Sequence, residues 1–185
     1  MTSALHPPGD ALQAALLDID GTLIASNDAH TRAWIGALAE HGYVVTFEQV
    51  RPLIGMGGDK LLPKLVGLDA HSDDAKRIFD TRADLFAREL PGLEPTPGAR
   101  DLLALLRNEG LELVVATSAQ EREVQAMLQQ AGLADLIQAA ASADDADESK
   151  PDPDIVRAAL RKARRYASQG ILIGDTPYDI EAATR

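Results

Sequence analysis

Asp18 and Asp20 stand one residue apart, at the end of an apolar run and just before a Gly-Thr turn, in the stretch QAALLDIDGTLIAS (13–26). Two carboxylates so close repel each other unless a cation lies between them. They are therefore either solvated turn residues or ligands of a cation. Related groups recur after later apolar runs: Thr117 and Ser118 after LELVVA, Lys150 beyond an acidic loop, and Asp175 with Asp179 in GDTPYD. Acids, a hydroxyl and a lysine form the inventory needed to handle a phosphoryl group with magnesium. The acids supply hard oxygen ligands to the ion, and the other groups neutralise the phosphoryl oxygens.

Each piece alone has a plainer explanation. DIDG could open a calcium-binding loop, but such a loop needs Gly at its sixth position and Glu at its twelfth. Leu23 and Ala29 stand there instead, which excludes that reading. Taken singly, Thr117 is a turn residue after a strand, Lys150 a surface lysine, and Asp179 an acid at a helix start. What distinguishes this chain is that all of them recur, in order, at strand ends.

The elements that must position these groups follow from the apolar pattern. Ala14–Leu17, Leu111–Ala116 and Ile171–Gly174 are short apolar runs without alternation, as expected of parallel strands covered on both faces. Ile137–Ala141 is a weaker fourth. Helical spacing marks Ala99–Glu109, stopped by Gly110; Arg122–Ala131, stopped by Gly132; and Ile155–Arg165, which follows KPDPD. Strand and helix in alternation predict an α/β fold with a doubly wound, Rossmann-like parallel sheet. Such sheets bind ligands beyond the carboxyl ends of their strands, so the acids, hydroxyl and lysine should share one rim.

Residues 26–91 interrupt that alternation and predict an all-helical insert in a core of 1–25 and 92–185. Ala29, Ala33, Trp34, Ala37 and Leu38 lie at helical spacing within Asn27–His41. Thr46 and Gln49 have the spacing of a capping box, and Ser72–Leu90 is a long helical pattern closed by Pro91. The return stretch PGLEPTPG (91–98) predicts a stiff hinge. The acidic stretch DDADE (144–148) is expected to be a solvated connection, and no internal repeat or low-complexity tract is present.

Composition narrows the classes of function. The 185 residues contain no cysteine, which excludes disulfides and thiolate metal sites. MTSALHPPGD at the start lacks the basic and apolar regions of a secretory signal, and no run approaches the roughly 20 apolar residues of a membrane span. A cytoplasmic location is expected. The net charge of −11 argues against nucleic acid or an anionic membrane as partner. It also means that a phosphate site needs local reversal of sign by magnesium, a lysine or a helix N-terminus.

The ordered set DIDGT (18–22), VVATS (114–118), SKPDPDI (149–155) and GDTPYD (174–179) resembles the haloacid dehalogenase superfamily of phosphohydrolases over nearly the whole chain. The helical insert resembles the cap these enzymes carry after their first motif. AHTRAW (29–34) is similar to the branch containing phosphoglycolate phosphatase and beta-phosphoglucomutase. The resemblance implies a magnesium-dependent phosphatase acting on a small phosphorylated metabolite. Asp18 would be the nucleophile, forming an aspartyl-phosphate. Asp20 would be the general acid and then the base, its backbone carbonyl also on the metal. Asp18 and Asp175 would ligate magnesium, and Asp179 would hold a metal-bound water. Lys150 would neutralise Asp18 and the phosphoryl group, while the Thr117 hydroxyl and the Ser118 amide bind its oxygens. Arg51, Gly55, Lys60 and His30 are the expected substrate contacts of the insert, with packing against Trp34 the alternative for His30.

Other readings remain to be weighed. A dehalogenase needs neither Asp20 nor the acids at 175 and 179, and a transport ATPase needs membrane spans. The mutase carries a cap arginine where this chain has Gly58, with Arg51 and Lys60 nearby, so the loop favours hydrolysis. A phospho-accepting receiver domain is shorter and lacks the insert. A catalytically silent phosphate-binding protein on the same fold is the alternative of another class. Two departures from the resemblance stand out. Ala25 occupies a position that is usually acidic, and the sequence ends at Arg185, soon after Asp179, where a longer chain with a further strand is expected. Monomer and homodimer are both open.

Overall fold

The computed structural model describes residues 11–185. The MTSALHPPGD segment, and with it the secretory-signal argument and the first part of the 1–25 core, lies outside the described residues.

Four parallel strands form one sheet: β1 (Ala14–Leu17), β2 (Glu112–Ala116), β3 (Ala139–Ala141) and β4 (Gly170–Ile173), in the order β3-β2-β1-β4. Leu17 lies opposite both Val115 of β2 and Ile173 of β4, so the carboxyl ends of the three strands are level. β1 is fully buried on both faces. Its residues alternate between layers because successive side chains in a strand point to opposite faces. Ala15 and Leu17 join Leu113, Val115 and the helices α5 (Ala99–Asn108) and α6 (Glu121–Gln130). Ala14 and Leu16 join Val114, Ala116 and α7 (Asp154–Ala163). Each layer removes a continuous apolar surface from water, worth about 25 cal/mol per Å² buried.

Between β1 and α5 run the helices α1 (Asn27–Glu40), α2 (Phe47–Val50), α3 (Gly58–Val66) and α4 (Asp73–Glu89). They have their own cluster, centred on Trp34, Leu38, Leu61, Leu62 and Ile78. The expected capping box forms at α2: the Thr46 hydroxyl accepts from Gln49 N, and Gln49 Oε1 accepts from Thr46 N at 2.8 Å. Ser72 caps α4, its hydroxyl accepting from Ala75 N. The two connections between helices and sheet run side by side. Ala25 N donates to Glu94 O at 3.0 Å and Thr96 N to Leu23 O at 2.9 Å, so the outgoing and returning chains brace each other. Ala25 is exposed and makes its contact through the backbone. Among the described residues no helix is long and apolar enough to cross a membrane.

The acidic stretch 144–148 is the expected solvated connection, with Asp144, Asp147 and Glu148 exposed, but it is also tethered. Asp144 accepts from Glu121 N at the start of α6, Asp145 closes a turn on Ser142 and pairs with Lys162 at 2.8 Å, and Glu148 pairs with Lys60. Cationic and backbone donors take up Asp144, Asp145 and Glu148, so the stretch is fastened to the fold at these three points.

Candidate active site

Asp18 follows β1, Thr117 follows β2, and Asp175 and Asp179 follow β4, the last at the start of α8 (Pro177–Thr184). Lys150 reaches the same rim from the loop beyond β3. Its ammonium is fully buried and bridges two carboxylates, 2.7 Å from Asp18 Oδ1 and 2.6 Å from Asp179 Oδ1. A buried charge requires pairing of this kind. Burial works against the ammonium, but Asp18 and Asp179 outweigh it and hold its pKa above the ordinary lysine value. The surface-lysine explanation for Lys150 therefore fails.

One lysine cannot neutralise two acids. Burial, only partly opposed by Lys150 and reinforced by the charges of Asp179 and Asp20, pushes Asp18 up to about 7. Its Oδ2 is buried and has no hydrogen-bond partner. Oxygen atoms of Asp18, Asp175 and Asp179 lie within 4.8 Å of one another. An unpartnered buried carboxylate oxygen, within a set of hard oxygen donors carrying more negative charge than Lys150 offsets, fits a divalent cation such as magnesium. Asp175 is the open member: Asn27 Nδ2 donates to its Oδ2 at 2.9 Å, and partial burial raises its pKa. Asp179 is fixed from behind, Thr176 N and Oγ1 donating to its Oδ2 at 3.1 and 2.6 Å.

Asp20 lies outside that three-carboxylate cluster. Its Oδ1 accepts from Ser26 Oγ at 2.5 Å and faces His30 Nε2 at 2.7 Å. Burial alone would raise its pKa; His30, the Ser26 hydroxyl and Arg82 more than offset this and hold it at about 2. The Asp20 side chain is thus withdrawn from the metal set, because its oxygen is already engaged on the side of the insert. Only its backbone carbonyl is left for the metal-binding role implied by the resemblance.

His30 lines the cavity as expected of a substrate contact, but it does not pack on Trp34. It contacts the Asp20 carboxylate, and its ring stacks on Phe86, not Trp34, at 3.8 Å and 10°. Arg82 Nη2 lies 2.6 Å from His30 Nδ1, and Arg82 Nη1 is 2.6 Å from Glu123 Oε1. A guanidinium only donates, so Nδ1 accepts and Nε2 carries the proton that is donated to Asp20. A continuous chain thus runs Asp20–His30–Arg82–Glu123, from the rim through α1 and α4 to α6. Nothing in the sequence marked Arg82, Glu123, Ser26 or Asn27, because such residues are ordinary on helix surfaces and at helix starts.

A cavity of about 600 Å³ opens over this rim. Asp18, Asp20, Thr117 and Ser118 line it from the sheet, and His30, Trp34, Gly55, Lys60, Phe79 and Arg82 from the helices. Thr117 is buried, and its hydroxyl accepts from Ala119 N at 3.1 Å; Ser118 Oγ accepts from Lys150 N at 3.4 Å. Gly55 has φ +107°, which an L side chain rarely adopts, and a Cβ there would press on Thr176. Lys60 lines the cavity, but its ammonium is tied to Glu148 and to Asp152, the latter at 3.2 Å. Arg51 is a correction. It does not line the cavity, because the exposed Asp28 carboxylate in the first turn of α1 takes up its guanidinium at 2.8 Å.

A parallel sheet with level carboxyl ends, acids beyond β1 and β4, and a helical insert over the rim define a Rossmann-like α/β enzyme fold with a capped site. The chain matches the haloacid dehalogenase-like hydrolase family over residues 15–185 and belongs to it. It is 32% identical over 180 residues to a phosphoglycolate phosphatase of Rhodospirillum rubrum, covering 92% of this chain and 75% of that protein. It is 34% identical over 180 residues to SUPPRESSOR OF QUENCHING 1, chloroplastic, of Arabidopsis thaliana, covering 93% of this chain and only 17% of that much longer protein. A hydrolase of Pseudomonas syringae has a similar structure, with a TM-score of 0.86 and 29% identity over 94% of this chain and 80% of that one.

Proposed function

We propose that the chain is a phosphatase that removes the phosphoryl group of a small phosphorylated metabolite through an aspartyl-phosphate on Asp18, with residues 26–91 as the cap over the site. The observation that carries this is Asp18 itself. Lys150 holds one carboxylate oxygen, and the other, Oδ2, is buried and unpartnered at the base of the cavity. The similarity to the Rhodospirillum phosphatase supports the same reading.

In this reading Asp18 attacks phosphorus. The negative charge of the bound phosphoester raises the Asp20 pKa from its resting value, so that Asp20 takes up a proton before turnover. It gives that proton to the departing alkoxide and then, as a carboxylate, draws a proton from the water that hydrolyses the acyl phosphate. Asp18, Asp175 and Asp179, with the Asp20 carbonyl, would hold magnesium, which supplies positive charge to the phosphoryl oxygens. Lys150 keeps Asp18 oriented and neutralises charge beside it. The Thr117 hydroxyl and the Ser118 amide are the donors for the transferred group. Pairing of Lys60 with Glu148 and Asp152, and of Arg51 with Asp28, leaves neither cation free to grip a second phosphate. That supports hydrolysis over a mutase.

The test is phosphate release from p-nitrophenyl phosphate by the full chain. Release is expected with magnesium, and loss with a chelator and in Asp18→Asn. Undiminished release in Asp18→Asn would refute the assignment.

A further inference from the structure

The charge inventory of the cavity bears on which alcohol is released, an inference that rests on the phosphatase reading. Three lysine or arginine side chains line or adjoin the cavity among the described residues, and each is already matched by acid. Lys150 bridges Asp18 and Asp179, Arg82 is held by Glu123, and Lys60 by Glu148 and Asp152. His30 is engaged between Asp20 and Arg82.

Three further carboxylates of the lining have no cationic partner: Asp59, Asp69 and Asp147. Asp59 accepts from the Ser149 hydroxyl and Asp69 from His71 N at 3.0 Å, both uncharged donors. The His71 imidazole shares the mouth with Asp69. The first turn of α3, the backbone feature best suited to an anion, already carries the Asp59 carboxylate. Part of the lining is aromatic, Trp34 and Phe79 meeting edge to face with centroids 5.9 Å apart beside Gly58. Beyond the reacting phosphoryl group, then, the cavity offers surplus negative charge, an apolar face and no free ammonium or guanidinium.

We propose that the preferred substrate is the phosphomonoester of an uncharged or amine-bearing alcohol, with no second anionic group. A carboxylate or second phosphate on the leaving group would have to break an existing ion pair or face unpaired carboxylates, and like charges brought together without a partner cost binding. A neutral polyol or an amino alcohol incurs no such cost and can lay its carbon face on Trp34. The volume of about 600 Å³ is ample for such a group. The inference runs against carrying over the hydroxy acid named in the Rhodospirillum relative.

The test compares kcat/KM of the full chain with magnesium on phosphoglycolate, glycerol phosphate and phosphoethanolamine at one ionic strength, with p-nitrophenyl phosphate as the activity control. The two non-acidic esters are expected to exceed phosphoglycolate by about tenfold or more. Added salt should narrow the gap, as should the double variant Asp69→Asn/Asp147→Asn. Equal or faster turnover of phosphoglycolate overturns the proposal, as does a gap that neither salt nor the double variant alters. A second arm measures calorimetric binding of the same three esters to Asp18→Asn and must give the same ranking. Failure to hydrolyse p-nitrophenyl phosphate would refute the phosphatase reading, and the binding arm would then decide the leaving-group preference by itself.

Discussion

His30 Nε2 lies 2.7 Å from Asp20 Oδ1, and the imidazole is clamped in that position by the Phe86 ring on one side and by Arg82 at Nδ1. Sheet and insert therefore meet in the hydrogen bond that orients the candidate acid–base group. Because Arg82 can only donate, the tautomer of His30 is set by a residue on a different helix.

His30→Ala is expected to lower kcat by about tenfold to hundredfold with a smaller change in KM, since positioned acid–base groups contribute about 10² to 10⁴. Arg82→Met should reproduce part of that loss by freeing Nδ1 to carry the proton. Unchanged kcat in both variants would remove His30 from the mechanism. The same contact has a stability consequence. Asp20 is held at about 2 against an unfolded value of 3.8, so its stabilising contribution is present above about pH 4 and is lost as the pH falls toward 2. Thermal melts of His30→Ala should show a smaller loss over that interval than the parent.

Lys150→Met leaves Asp18 and Asp179 buried with no cation between them. Removing one partner of a buried ion pair costs about 3–5 kcal/mol. A fall in unfolding free energy of that size, read as a lower denaturant midpoint, is expected, partly restored by magnesium, which would take over the neutralisation. A midpoint equal to that of the parent would mean the ammonium contributes nothing to the fold.

Magnesium and a proton compete for Asp18. Burial raises its pKa to about 7, so without metal this group makes the folded state less stable as pH rises from about 4 to 7, because the folded form binds the extra proton. Apparent magnesium affinity should therefore increase by about tenfold per pH unit below 7 and level off above. Calorimetric titrations in buffers of different ionisation enthalpy would register the released proton. Affinity independent of pH over that interval would contradict the burial argument.

Gly21 has φ +84°, and a Cβ there would collide with Asn27 Nδ2 and Asp175 Oδ2. Gly21→Ala is expected to cost about 1–2 kcal/mol in backbone strain and to weaken magnesium binding by displacing Asp175. An alanine variant with the parent's melting temperature and metal affinity would refute this.

Asp175→Asn tests the metal set from its exposed side. Asp175 is solvent-accessible and contributes little to packing, so the melting temperature should change little while magnesium affinity falls by tenfold or more. Retained affinity would take Asp175 out of the set.

Apolar patterning located the four strands and the helices α1, α4, α5, α6 and α7, but not α3 or α8. Ala14–Leu17 forms a strand because four apolar residues can be covered on both faces at once, and Gly110 and Gly132 end α5 and α6 because their positive φ suits glycine. The rim was legible for the same reason: a parallel sheet turns each strand's next residue toward one edge, so Asp18, Thr117 and Asp175 had to be neighbours. Which charge pairs with which was left to the tertiary structure. Lys150 meets Asp18 across 132 positions of sequence, Arg82 meets Glu123 across 41, and Arg51 turns outward to Asp28. Pairing depends on distances of a few ångströms between segments that approach only when the layers pack, and residue type and spacing carry no record of those distances.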